Sequence, residues 1–310
     1  MRRIAVIDLG TNTFHLLITE VSEGIKVIPG NICKETIPVK LGEGGINKGI
    51  INPDAYQRGI KAIERFAELI SHCQVIQVKA MATAAIRGAR NGPDFIAEIK
   101  QRTGIEIELI DGEKEAGLIY AGVREAVKIT GEVSLIMDIG GGSVEFILGN
   151  SSRIFWKKSY PIGAAKLMEQ FHHTDPISKE DLDQINAHLD RTLTELMAEF
   201  DKYKPRTLIG SAGAFETFAE LVKKKFKPAE SESGFSAQEI DLSYFREVAA
   251  VLTTSTHRER TDMKGLIPLR VDMIIVATVL TDYIVSKLNI STLILSDYSL
   301  KEGILFDLIS

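Results

Sequence analysis

At 310 residues, with 45% hydrophobic and 25% charged residues, the chain has a globular composition and is longer than one ordinary core comfortably serves, so two domains are expected. The net charge of −5 argues against a broad basic face for nucleic acid: residues 1–124 carry 16 Lys+Arg against 15 Asp+Glu and the remainder 21 against 27, so a polyanion must be met by a few placed cations or by a metal. No run approaches the roughly 18 apolar residues of a membrane helix, Met1-Arg2-Arg3 leads straight into a strand pattern, and Cys33 and Cys73 lack C-x-x-C spacing, so a cytoplasmic protein with reduced thiols and no membrane partner is expected.

The chain opens with IAVIDLGTNTFHLLITEV, an apolar strand ending in Asp8-Leu9-Gly10, a polar turn, and a returning strand from Phe14 to Glu20. A third strand, Ile25 to Asn31, is expected to complete a meander. Asn52-Pro53 starts a helix whose Ile60, Ile63, Phe66 and Ile70 follow helical spacing. A short strand (75–80), a helix (93–102) closed by Gly104, a strand (105–110) and a helix (112–126) give the order βββαβαβα for a first domain, residues 1–125. The second, residues 126–310, opens with a strand (133–138), a hairpin and a strand (153–159). Ser178 and Asp181 then start one long helix ending near Tyr203. There follow a strand (207–210), the turn GSAGAFET, helices near 212–224, 240–254 and 268–287, a strand (292–295), and a helix from Leu300 that is expected to pack back on the first domain. The segment KKKFKPAESESG (223–234) reads as a charged, solvated loop. The six histidines read as structural or exposed, none being at metal-ligand spacing beside a cysteine.

One motif occurs twice. LIMDIGGGSVEF (135–146) follows the scheme of the N-terminus, apolar strand, Asp-x-Gly, small polar turn, strand, with Asp8 and Asp138 standing 130 residues apart. A dinucleotide fingerprint would need a helix after its glycines, but Ser143 to Leu148 begins with period two and continues as a strand. One echo of this kind points to duplication, each half presenting a carboxylate and a loop of backbone N–H groups at the same topological place. Such turns form anion-binding concavities, and the aspartates would repel a bare phosphate unless a divalent cation lay between. The pair therefore points to a magnesium-phosphate complex held between two domains.

The same stretches resemble the Ppx/GppA family of exopolyphosphatases and guanosine pentaphosphate phosphohydrolases. DLGTNTFHLLI resembles the family's first phosphate loop and MDIGGGSVEF its second. ATAAIRGARNG supplies Thr83, Arg87 and Asn91, IDGEKEAGLIYAG resembles the stretch of the catalytic glutamate, and IPLRVDMI supplies Arg270 and Asp272. The resemblance implies the α/β duplicated actin-like fold shared with sugar kinases and heat-shock chaperone ATPases, two ribonuclease H-like domains with a cleft between them. It also implies hydrolysis of terminal phosphoanhydride bonds of polyphosphate, with guanosine pentaphosphate as a second substrate. Homodimerisation is compatible with it and has no sequence signal.

Carried onto this chain, the resemblance makes Glu115 the general base, with Glu113 as fallback. Asp138, Glu145 and Asp8 would hold magnesium or another divalent cation; a half-exposed strand position is the alternative for Glu145. Gly10, Thr11, Asn12, Thr13, Gly140, Gly141, Gly142 and Ser143 would bind phosphate oxygens. Arg87 and Arg270 would meet transition-state charge, or serve as structural ion pairs. Three features depart from the family pattern: Lys40 and Lys301 where arginine is usual, and Phe215 and Glu216 in the third glycine turn. A kinase of the same fold and a non-catalytic sensor of guanosine tetra- or pentaphosphate are the competing expectations.

Overall fold

Strand β1 (Arg2–Leu9) is apolar on both faces, the mark of a strand covered from two sides. In the computed structural model, which describes residues 2–21, 31–226 and 237–309, it lies at the centre of a five-stranded sheet. β2 (Thr13–Val21) returns antiparallel to it and β3 (Asn31–Pro38) extends the meander. Helix α1 (Pro53–His72) begins at the expected proline, though the Asn52 side chain turns away from its helix to donate to Glu43 C=O. β4 (Gln77–Ala82), the short α2 (Ala84–Arg87), α3 (Gly92–Thr103), β5 (Ile107–Leu109) and α4 (Gly112–Ala126) complete the first half. Gly104 ends α3 in the left-handed conformation, as read from sequence.

The second half repeats this. β6 (Ser134–Ile139), β7 (Val144–Gly149) and β8 (Ile154–Tyr160) form a meander; α5 (Ala164–Phe171), α6 (Lys179–Thr192) and α7 (Thr194–Tyr203) follow. Then come β9 (Thr207–Ser211), α8 (Gly213–Phe226), β10 (Ala237–Ile240), α9 (Leu242–Thr254), α10 (His257–Thr261), α11 (Ile274–Lys287), β11 (Thr292–Ser296) and α12 (Leu300–Ile309). The first sheet runs β3-β2-β1-β4-β5 and the second β8-β7-β6-β9-β11-β10, the same order with one antiparallel strand added at the edge. In each, the three strands after the meander's outer two are parallel. This is the duplicated actin-like α/β fold.

Several expectations shift. The third strand expected at 25–31 lies, apart from Asn31, outside the described residues, and the meander is completed by β3 at 31–38. The single helix expected from 178 to 203 is two, because Leu193 leaves helical geometry at ψ 17° while remaining fully buried, which turns the apolar stripe through a corner. Lys223–Lys225 continue α8 rather than opening a loop, and 227–234 lie outside the described residues. The helix expected from 268 starts as a 3₁₀ turn, Pro268–Arg270, before α11. α5, α10 and β10, each short, had no periodicity long enough to read.

Three apolar clusters hold the molecule. One packs α1 and α3 on the outer face of the first sheet and one packs the helices α5 to α9 and α11 on the second. The third lies between the sheets: Ile4, Val6 and Met81 meet Ile136, Ile147 and Ile209 through α4 and α12. These two helices are exchanged between the halves. α4 packs on β7 and β8 and α12 packs on β1 and β2, while the pair cross each other closely. The crossing rests on two glycines, since a Cβ on Gly303 would stand 1.8 Å from Leu118 C=O and one on Gly122 2.4 Å from Ser299 C=O. Gly303→Ala should therefore destabilise the protein by about 2 kcal/mol or more, as overpacked sites do. Urea denaturation reads this, and a loss below about 0.5 kcal/mol, the range of neutral surface changes, would contradict it.

Candidate functional site

Both glycine turns lie at the carboxyl ends of parallel strands, the place where ligands bind in sheets of this kind. They have one geometry: Gly10 N–H donates to Thr13 C=O at 3.1 Å and Gly140 N–H to Ser143 C=O at 3.0 Å. The turns touch across the two halves. A Cβ on Gly141 would stand 2.5 Å from Asn12 Nδ2, and one on Gly142 2.9 Å from Thr11 Oγ1. The triplet therefore has no room for side chains. It is also held from behind, because Ala164 and Ala165 N–H at the start of α5 donate to Gly140 and Gly141 C=O, both at 2.9 Å.

A cleft of about 440 Å³ opens beside the turns. Its wall contains Gly10 to Thr13, Gly140 to Ser143, Asp8, Glu115, Asp138 and Arg270. Arg87 and Glu145 stand behind this wall. Arg87 Nη1 donates to Glu115 Oε2 at 3.0 Å and to Ile110 C=O at 2.8 Å. Glu145, on β7 directly opposite Asp138, is 1% exposed rather than half-exposed, and accepts from Ser159 Oγ at 2.6 Å. Glu113 faces outward, exposed, with its carbonyl bonded by Lys157 Nζ, so of the two competing acids only Glu115 reaches the cleft.

The acids crowd one another. Burial, then Glu115 and Asp138, push the Asp8 carboxyl up to about 7, and its Oδ1 is buried with no hydrogen-bond partner. Burial pushes Glu115 up to about 7 against the opposing pull of Arg87. Burial likewise raises Asp138 to about 6, although the Ser211 hydroxyl donates to it. Glu145 is held well above the ordinary carboxylate value by burial, Glu115 and Asp138. The counterweight is Lys301 on α12: burial alone would lower its ammonium, but Glu302, 3.2 Å away, and Asp8 hold it above the ordinary lysine value.

These donors fit a hydrated magnesium ion. No three His, Cys, Asp or Glu side chains converge as a ready ligand set among the described residues. Magnesium, however, is usually held by one or two carboxylates with water and phosphate oxygens completing its octahedron. The orphaned Asp8 Oδ1 and the nearby Asp138 are suited to that role, whereas Glu145, off the cleft wall, would act through Asp138 or water.

The remaining motif residues divide between site and scaffold. Thr83 lines the cleft, its hydroxyl donating to Leu9 C=O at 3.3 Å. Asn91 clamps Ile51 through two 2.9 Å bonds. Arg270 lies over the third glycine turn, bonded to Glu216 Oε2 at 2.8 Å and Thr217 Oγ1 at 3.1 Å; a Cβ on Gly213 would be 2.1 Å from its guanidinium carbon. Phe215 of that turn is fully buried in the core. Lys40 is off this cleft, 3.7 Å from Asp272. Sequence reasoning missed His15 and Lys34, both on the wall, and treated Lys301 only as a departure. For His15 a signal existed, since it follows Asp8 by the same seven positions by which Glu145 follows Asp138.

The sequence model of the Ppx/GppA phosphatase family matches residues 17–310. Exopolyphosphatase 2 of Mycobacterium tuberculosis is 28% identical over 323 residues, covering 99% of both chains. Exopolyphosphatase 1 of the same organism is 25% identical over 305 residues, covering 98% of this chain and 87% of that one. The crystal structure of an exopolyphosphatase from Cytophaga hutchinsonii superposes with a TM-score of 0.94 at 38% identity, covering 99% of this chain and 98% of that one. The Aquifex aeolicus PPX-GPPA enzyme superposes with a TM-score of 0.79 at 25% identity, covering 99% of each.

The raised acids make a stability prediction for metal-free protein. Below about pH 4 Asp8 is protonated folded and unfolded and contributes nothing. From there to about 7 the unfolded chain ionises it while the folded chain keeps the proton, so its penalty grows as pH rises and is complete above about 7. Asp8→Asn should thus melt with the wild type near pH 4 and progressively above it toward pH 7.5, measured by calorimetry with chelator present. Parallel melting curves across the window would contradict this.

Proposed function

The chain belongs to the Ppx/GppA phosphatase family, and on that premise we propose that it is an exopolyphosphatase, releasing the terminal phosphoryl group of inorganic polyphosphate to water. The observation that carries this reading is the convergence of both glycine turns with Glu115, Asp8 and Asp138 on a single cleft. Names borne by relatives over nearly their whole lengths support the substrate.

In this reading the terminal phosphate lies against the turn Gly10 to Thr13 and the turn Gly140 to Ser143, where backbone N–H groups and hydroxyls point at its oxygens. A bound magnesium ion, held by Asp8 and Asp138, would neutralise phosphate charge and polarise the bond that breaks. Glu115 takes the proton from the attacking water. Its carboxyl, pushed up to about 7, is matched to proton abstraction near neutral pH. Arg87, bonded to Glu115 Oε2, fixes the direction of that carboxylate. Arg270, on the cleft wall, would exchange Glu216 for phosphate oxygens as negative charge develops. No covalent phosphoenzyme is needed, since the cleft presents a base for water.

Guanosine pentaphosphate carries the same type of terminal bond and belongs in the test as a second substrate. Colorimetric phosphate release from long-chain polyphosphate, guanosine pentaphosphate and ATP, with magnesium, separates hydrolase from kinase and sensor. Polyphosphate should release phosphate, and absence of release from all three would overturn the reading. Glu115→Gln should lower kcat about 10³-fold with KM little changed, and Glu113→Gln should stay near wild type. The reverse pattern would move the base to Glu113.

A further inference from the structure

The duplication extends beyond the two turns. In the second half a row of three side chains runs across the meander: Ser143 in the turn, Glu145 on β7, and Ser159, its register partner on β8. The Ser159 hydroxyl donates to the Glu145 carboxyl at 2.6 Å. The first half has the same row in the same register: Thr13 in the turn, His15 on β2, and Thr36, its partner on β3. Here an imidazole takes the carboxyl's place, with Nε2 2.8 Å from Thr13 Oγ1 and Nδ1 3.0 Å from Thr36 Oγ1.

The exchange changes what the turn hydroxyl can do. When ionised, as a bound cation would favour, the Glu145 carboxylate can only accept, and the Ser159 hydroxyl donates to it. An imidazole can donate as well as accept. We infer that His15 is a positioning residue, whose Nε2–H donates to Thr13 Oγ1 while Thr36 O–H donates to Nδ1, so that the Thr13 hydroxyl proton points into the cleft at a phosphate oxygen.

Two considerations set this direction. Thr13 faces the site of an anion, and a hydrogen bond to an ionised oxygen is about twice as strong as one to a neutral nitrogen. Thr36 lies on edge strand β3 at an exposed position, where its hydroxyl rotates freely to donate. The two rows thus differ in what stands behind the turn, an imidazole in the first half and a carboxyl in the second.

The inference rests on the polyphosphate reading, and its test is independent of turnover. The ¹⁵N shifts of His15 in histidine-labelled protein should report the Nε2–H tautomer, free and with inorganic tripolyphosphate and magnesium. His15→Gln keeps a nitrogen donor near the Nε2 position, His15→Asn keeps one only near Nδ1, and His15→Leu keeps neither. Calorimetric tripolyphosphate affinity should stay within about threefold for Gln and fall about tenfold for Asn and Leu, with KM moving more than kcat. An Nδ1–H tautomer, Asn binding as well as Gln, or equal loss in all three variants would overturn the inference. Should a variant fail to fold, the wild-type tautomer still decides. Tripolyphosphate binding in the stated order with no phosphate release from long-chain polyphosphate, guanosine pentaphosphate or ATP would overturn the hydrolase reading alone, and release with Asn equal to Gln the His15 inference alone.

Discussion

Four carboxylic groups, Asp8, Glu115, Asp138 and Glu145, are buried within reach of each other's charge, and the rest of the site is arranged around that cost. A structure selected for stability alone would replace such a cluster with apolar side chains. Here each acid is only partly relieved, Asp138 by Ser211 and Lys301, Glu145 by Ser159, Glu115 by Arg87 and Asp8 by Lys301. Asp8 Oδ1 is buried without a hydrogen-bond partner, and a cation there would supply one. The proposed chemistry follows from this imbalance: a cation and a polyanion together complete what the fold leaves uncompensated.

The glycines bear on the same constraint. Two turns can approach until Gly141 meets Asn12 and Gly142 meets Thr11 only because no side chain intervenes, and this approach brings the acids of the two halves into one cleft. Further bonds across the halves lie to the side of the acids. Asn47 donates to Glu169 at 2.9 Å, Lys40 faces Asp272 at 3.7 Å, and Asn12 Nδ2 rests against Met273 Sδ at 3.0 Å. Exposed pairs of this kind contribute at most about 1 kcal/mol each. These side contacts between the halves are therefore weak beside the apolar cluster that lies between the sheets.

The sequence was most legible where a pattern was long or repeated. The amphipathic α1, the two strands of each glycine hairpin and both Asp-x-Gly turns could be placed from periodicity and punctuation, and the repetition of the turn pointed to a duplicated fold. α5 and α10 were invisible because five to eight residues carry too little periodicity, and the Leu193 corner because a buried leucine continues a helical stripe whether or not the backbone does. The choice between Glu113 and Glu115 depended on family resemblance, since both sit in the first turn of α4 and only tertiary packing shows which faces inward. His15 was passed over because a lone histidine on a strand is usually a packing residue. Its meaning lies in the register match with Glu145, which requires both meanders to be laid side by side.

The exchange of α4 and α12 ties catalysis to the two-part architecture. Glu115 enters the cleft from α4, whose packing is on β7 and β8, yet its partner Arg87 belongs to the first half. Lys301 enters from α12, which packs on β1 and β2, yet it follows directly from β11 of the second sheet. Glu115, the proposed base, and the buried Lys301 are thus each carried by a helix that crosses between halves, and the two helices are locked together at Gly122 and Gly303. Relative movement of the sheets must then act on both groups through this one crossing. In the proposed reading, the groups that would handle water and charge are thereby preorganised on two crossed helices, while the phosphate grip is divided between the turns of the two halves.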